Sequence, residues 1–132
     1  MFSFTLIIMS FVQSISTCFR KFVSAKGRAS RSEYWWFQLF LYLLSFITVF
    51  VDGFLFNDIV MEDNIFPINM ITSLITLFPA IMVLIRRLHD VNRSGWWILI
   101  AFTCIGIIPL LYWSIIKGTD GSNDYGDDPV KI

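Results

Sequence analysis

Between Ile65 and Ile85, and again between Trp96 and Ile116, the chain runs for 21 residues without a charged side chain. As α-helix each run would extend roughly 31 Å, about the hydrocarbon thickness of a bilayer. A third uncharged run, WWFQLFLYLLSFITVFV from Trp35 to Val51, continues past Asp52 to Phe56 with little polarity. Hydrophobic residues make up 56% of the 132, and charged residues only 15%. Soluble domains carry about a quarter charged residues, and a chain this short could not hide so much apolar surface from water. The expectation is an all-α integral membrane protein with spans near 34–56, 65–85 and 96–116.

The N-terminus has a different pattern. Phe4, Ile8, Phe11, Ile15, Phe19 and Phe22 recur at helical spacing, with Ser3, Ser10, Gln13, Ser14, Thr17, Arg20 and Lys21 lining the other side. This predicts an amphipathic helix over 1–24, lying in the membrane interface. A fourth span is one alternative, and a signal peptide another, although its positive charge would precede the apolar run rather than follow it. Residues 25–132 then form one multi-pass membrane domain. SRSE, Ser30 to Glu33, has the form of a capping box and should start the first span. Pro67, Pro79 and Pro109 fall inside the later windows, where spanning helices tolerate them. Asn69, Thr72, Ser73 and Thr76 give the second span a polar stripe suited to helix contact. All five tryptophans, Trp35, Trp36, Trp96, Trp97 and Trp113, stand at window ends, as in an interfacial aromatic belt. From Lys117 onward a polar, glycine-rich tail reads as irregular.

Charge placement orients the chain. Segment 20–33 holds Arg20, Lys21, Lys26, Arg28 and Arg31, and segment 86–95 holds Arg86, Arg87 and Arg93, together eight of the ten basic residues. The stretch between the first two spans has none and carries Asp52, Asp58, Glu62 and Asp63. By the positive-inside rule, loop 86–95 is cytoplasmic and, with three spans, the C-terminal tail is outside. The formal net charge is zero, so nothing points to nucleic acid. Cys18 and Cys104 make no disulfide framework, and Cys104 reads as a small buried hydrophobe. One histidine leaves no zinc spacing. The tail aspartates, Asp120, Asp124, Asp127 and Asp128, lack the glycine register and distal glutamate of a calcium loop. No metal or cofactor is expected.

The densest charge is RRLHDVNRSGWW, Arg86 to Trp97. On a helix Asp90 is i+4 from Arg86 and i+3 from Arg87. With the preceding basic segment this gives a candidate cluster: Arg28, Arg31, Glu33, Arg86, Arg87, His89, Asp90 and Arg93. One reading is a polar pocket in which arginines fork toward an anionic group. The other is topology retention with diffuse contact to anionic lipid heads. His89 and Asp90 are adjacent on a helix and point about 100° apart, and no nucleophilic set accompanies them. His89 therefore reads as an interfacial, hydrogen-bonded residue rather than a catalyst, and Glu33 is explained by the capping box. Asp52, at the outer end of the first span, reads as interfacial rather than as part of an ion path.

GRASRSEYWWF (Gly27 to Phe37), RRLHDVNRSGWW and GTDGSNDYGDDP (Gly118 to Pro129) together resemble the YhaH/YhaI-like family of small bacterial inner-membrane proteins, a domain of unknown function. The resemblance covers roughly residues 20–130. It implies a multi-pass protein of the bacterial inner (plasma) membrane and no particular activity. The tail departs from the pattern at Asp124 and Asp127, where a basic or neutral residue and a proline would be expected. The expected role is non-enzymatic, with the arginine cluster binding anionic phospholipid heads or a partner protein. A subunit of an oligomeric transporter or channel, hence a homo-oligomer, is one alternative, and a lipid-modifying membrane enzyme is another.

Overall fold

The structure, a computed structural model, describes residues 10–130. In chain order it contains α1 (Phe11–Arg20), α2 (Arg31–Leu55), α3 (Asn57–Asp63), α4 (Pro67–Asp90), a 3-10 helix (Gly95–Phe102) and α5 (Ile107–Ile115). No strand occurs among the described residues, and a single bridge, Asn123 to Gly126, tightens the tail. Among the described residues two helices, α2 and α4, are long and apolar enough to cross a membrane. Their outer surfaces invert the soluble pattern, with Phe46, Phe50, Phe54, Ile71 and Leu74 exposed.

Polar clamps at both ends hold α2 and α4 antiparallel. At one end Glu33 on α2 pairs with Arg86 on α4. At the other, the Asp52 carboxylate accepts the Ile68 and Asn69 backbone N–H groups at 2.9 and 2.8 Å. Asp52 thus caps α4, whose own N-cap, Phe66, offers no side-chain acceptor. A carboxylate there satisfies orphan donors and faces the positive end of the helix dipole. Asn69 extends the clamp, donating to the Ser45 and Thr48 hydroxyls at 2.9 and 2.8 Å. Asp52 is therefore a buried helix cap rather than an exposed surface group.

Ser30 starts α2 by accepting from the Glu33 N–H at 3.2 Å. The expected capping box is not closed, because the Glu33 side chain turns inward to Arg86 instead. The complete box belongs to α1, where Ser10 and Gln13 exchange both bonds.

The predicted face of the N-terminal helix also needs correction. Ser14, Thr17 and Cys18 turn toward the bundle and are buried. Small side chains let a helix approach its neighbours closely, and rings then pack around the contact: Phe11 on Trp36, Phe19 on Phe37, Phe22 on Phe78. The described part of this helix is a packed element, with Cys18 in the core beside Tyr34, Phe37 and Val83. Ser3, Phe4 and Ile8 lie outside the described residues.

The third apolar window does not form a spanning helix. It breaks into the 3-10 helix and α5, joined by a turn at Thr103–Gly106. Gly106 and Pro109 explain the break. A Cβ on Gly106 would overlap the Ile100 carbonyl oxygen, so the tight turn needs glycine. Pro109 is tolerated because it sits in the first turn of α5, where no helical donor is lost. Thr103 bonds the Ile100 carbonyl through its N–H and its hydroxyl, and its hydroxyl in turn accepts the Gly106 N–H. The turn exposes Cys104, so the expected burial of that thiol does not hold.

Because this segment doubles back, the tail returns to the end of the bundle that holds the 86–95 turn. Its backbone joins that end directly, Thr119 N–H donating to the Asp90 carbonyl at 2.7 Å. Placing turn and tail on opposite sides is thereby corrected.

Candidate functional site: a buried arginine latch

Three segments without regular partners meet at this end: residues 27–30 before α2, the last turn of α4, and the tail after α5. Arg28, Glu33, Arg86, Arg87 and Asp90 are all buried there, Arg86 and Arg87 at 0% exposure. Charges so far from water need partners, and each is met.

Asp90 stands between two arginines. Arg28 Nε donates to its Oδ1 at 3.0 Å, and Arg87 Nη1 donates to its Oδ2. The two guanidinium groups then turn their remaining donors onto main-chain carbonyls. Arg28 bonds Gly121 and Thr119, each at 2.6 Å. Arg87 bonds Ser114 at 3.3 Å, Ala29 at 3.4 Å, and Ile116. Asp90 thus orients two arginines whose other donors hold the tail and the segment before α2. Gly118 passes so close to this carboxylate that an added Cβ would overlap it.

Arg86 is separate. It pairs with Glu33, not with Asp90, and Cys18 sits beside both, its sulfur 3.8 Å from Glu33 Oε1 and 3.9 Å from Arg86 Nη2. Arg86 Nε is buried without a hydrogen-bond partner. Burial, and next the Glu33 charge, push the Cys18 thiol up to about 12, against the opposing pull of Arg86. Desolvation favours the neutral thiol, so Cys18 is an inert core group and not a nucleophile.

His89 lies at the edge of the latch. Its Nδ1 is 3.0 Å from the Gly27 carbonyl. A carbonyl only accepts, so Nδ1 carries the proton there. The ring stacks on Tyr125 at 4.1 Å between centroids, and Asn123 donates to the His89 carbonyl at 2.9 Å.

The remaining two candidate residues lie outside the latch. Arg31 is exposed and reaches the Ile115 carbonyl at 3.4 Å. Arg93 is exposed and lies over the Trp113 ring at 5.2 Å, a cation–π contact. A cavity of about 180 Å³ opens beside the latch, between Arg31, Asp90 and the tail residues Lys117, Thr119, Asp120 and Asp128. Among the described residues, no group of three His, Cys, Asp or Glu is placed to hold a metal ion.

Reasoning from charge missed Cys18, the carbonyls of residues 114–121, Asn123 and Tyr125. Carbonyls have no sequence signature. The tail glycines were the available signal, because close packing against Asp90 requires one of them.

Residues 22–127 match a family described as Protein of unknown function (DUF805). The chain belongs to the DUF805 family. The latch draws on all three of the motifs quoted above, so the family match spans the site apart from Cys18. The inner membrane protein YhaI of Escherichia coli (strain K12) is 36% identical over 111 residues, covering 83% of this chain and 89% of the relative. The inner membrane protein YhaH of the same strain is 34% identical over 116 residues, covering 83% and 90%. No solved structure matches this DUF805 chain. Family and architecture agree on a bacterial membrane protein.

Proposed function

We infer that this DUF805 protein is a non-enzymatic inner-membrane protein whose latched end faces the cytoplasm and holds anionic phospholipid heads with its surface cations. The observation that carries the reading is the division of the basic residues into two sets. Arg28, Arg86 and Arg87 are buried and matched by Glu33, Asp90 and backbone carbonyls. Arg20, Lys26, Arg31 and Arg93 are exposed, and the last three flank the latch. The first set supports structure, and the second is available to lipid. All five tryptophans share this end, at the start of α2, the start of the 3-10 helix and the last turns of α5. Tryptophans favour the bilayer interface and basic residues the cytoplasmic side.

On this reading α2 and α4 cross the bilayer, and the third segment is a hairpin dipping into one leaflet. Eight residues of 3-10 helix and nine of α5 reach about 16 and 14 Å, half of a hydrocarbon core. Phe102 at the tip is 90% exposed, as lipid contact would have it.

The test is native mass spectrometry of protein released from mild detergent. Replacing Arg20, Lys26, Arg31 and Arg93 with glutamine should reduce retained phosphatidylglycerol and cardiolipin, by roughly fivefold for each residue that contributes about 1 kcal/mol. Lysine replacements at Arg31 and Arg93 should retain lipid. Unchanged retention in the quadruple glutamine variant would overturn the reading.

An oligomer is a second reading, supported by a different observation. Gln38, Tyr42, Ser45, Ser73 and Thr76 bring polar groups to a groove between α2 and α4 that Leu41, Leu77 and Ala80 complete, with Tyr42 72% exposed. Polar groups facing hydrocarbon favour burial against another helix. The same spectra report stoichiometry.

A further inference from the structure

Beyond the charged latch, a groove of about 360 Å³ runs along the outer side of His89, lined by Ala25, Ile85, Ser94, Gly95, Trp96 and Leu99. We propose that it binds a neutral amphiphile carrying a hydroxyl donor on an apolar body, with His89 Nε2 accepting the hydroxyl hydrogen. A neutral ligand sets this site apart from the surface cations, so it stands or falls separately from the anionic-lipid reading.

The histidine decides the ligand chemistry. Its Nδ1 proton is committed to the Gly27 carbonyl, which leaves the lone pair on Nε2. Nε2 lies 3.6 Å from the position of a Cβ on Gly95, another groove residue, and so points into the groove. Among the described residues only Nδ1 of this ring finds a hydrogen-bond partner. Stacking on Tyr125, with the rings 2° from parallel, fixes the direction of the lone pair. A rigid acceptor in an apolar wall selects for a donor, because the alternative is an unmet polar group. A carboxylate or a phosphodiester has no donor to offer. Ser94 is the second polar group, its hydroxyl oxygen accepting from the Trp96 N–H at 3.4 Å.

The position suits an amphiphile. The groove sits where α4 leaves its apolar run, and Trp96 on its wall is 78% exposed. A head group at His89 would leave its tail lying along Trp96 and Leu99 toward the lipid. Two sources supply this chemistry, a partial glyceride with a free hydroxyl and a reduced quinone.

His89 is the only histidine in the chain, so nitrogen-15 histidine labelling gives one imidazole to observe. The full chain in nanodiscs is titrated with dioctanoylglycerol and, in a second arm, with decylubiquinol. The expected result is a saturable shift of the Nε2 resonance with at least one of them, and a stationary Nδ1 resonance. The hydroxyl-capped methyl ether of the glyceride, or decylubiquinone in the other arm, should bind on the order of tenfold more weakly, the effect of losing one hydrogen bond to a fixed acceptor. Leu99→Trp, which fills the groove away from the ring, should weaken binding comparably. No saturable shift in either arm, or equal affinity for the free and blocked partners, would overturn the proposal. The blocked ligands test wild-type protein, so that outcome does not depend on the variant folding.

Discussion

Glu33 and Asp52 sit at opposite ends of α2, and each reaches across to α4 from a buried position. Their 19-residue separation corresponds to roughly 28 Å of helix, close to the thickness of a bilayer core. Within that length α2 and α4 carry no charge. The two carboxylates mark the levels at which the helix pair can again hold ions, and both use the level to bind the helices together. Apolar contact between helices has little driving force in lipid, so polar clamps at the ends contribute disproportionately to holding the pair.

The outer clamp predicts an unequal pair of substitutions. Asp52→Asn keeps one carbonyl oxygen but puts an amide against a backbone donor, losing a charge-assisted bond. Unfolding in detergent should become easier by about 1.5–3 kcal/mol. Asp52→Leu removes both acceptors and should cost more. Equal stability of wild type and both variants, measured by thermal or dodecyl sulfate unfolding, would show that the cap contributes nothing.

The latch predicts that its two adjacent arginines respond differently to lysine. Arg87 uses three nitrogens on Asp90 and on the carbonyls of Ser114, Ala29 and Ile116. A lysine cannot span them, and Arg87→Lys should destabilise by roughly 3–5 kcal/mol. Arg86 makes its ion pair through Nη1, and its Nε has no partner. Arg86→Lys can keep the pair and should cost less than about 2 kcal/mol. Limited proteolysis supplies a second readout: the tail should be cut faster in Arg87→Lys and at the wild-type rate in Arg86→Lys. The same loss in both would contradict the geometry.

Part of this was legible in the sequence. The two long apolar helices follow from long uncharged runs, and the pairing of Asp90 with Arg87 follows from helical spacing. The partner of Arg86 did not follow, because i+4 spacing favoured Asp90 while α2 presented Glu33. Counting apolar residues also overran the break at Gly106 and Pro109, since a hydropathy window gives turn-forming residues no special weight. That error reversed the tail. Once the tail was placed on the far side, its contacts with Arg28 and His89 could not be anticipated. The inner face of α1 was misread because Ser14 and Thr17 are polar in water but serve as small contact residues between helices.

Cys18 gives a prediction in pH. Its thiol is raised from 9.0 to about 12 in the folded protein. A raised pKa means the folded state holds the proton more tightly, so the stabilisation is complete below pH 9 and is lost as pH climbs toward 12. Cys18→Ala should flatten that part of the stability curve. At pH 9 the folded wild type should leave Cys18 unmodified by maleimide, while unfolded protein reacts. Labelling of folded Cys18 at the rate of an ordinary thiol would exclude the buried arrangement with Glu33 and Arg86.

The returning tail predicts a topology. Arg28 holds the carbonyls of Thr119 and Gly121, and Asn123 holds that of His89, so the tail and the turn after α4 occupy one side. On the proposed reading the basic residues at that end face the cytoplasm. Fluorescent-protein fusions after Asn92 and after Ile132 should both be bright, and alkaline phosphatase fusions at both should be inactive. A phosphatase fusion after Asp58, in the acidic loop, should be active. The informative contrast is the fusion after Ile132, since a third full span would export it. Removing the turn should produce that state: Gly106→Leu with Pro109→Leu leaves an uninterrupted apolar run of 21 residues from Trp96 to Ile116. If that variant exports the phosphatase while the parent does not, Gly106 and Pro109 keep the segment in one leaflet. An active phosphatase after Ile132 in the parent would mean the segment crosses, and the latch could not form.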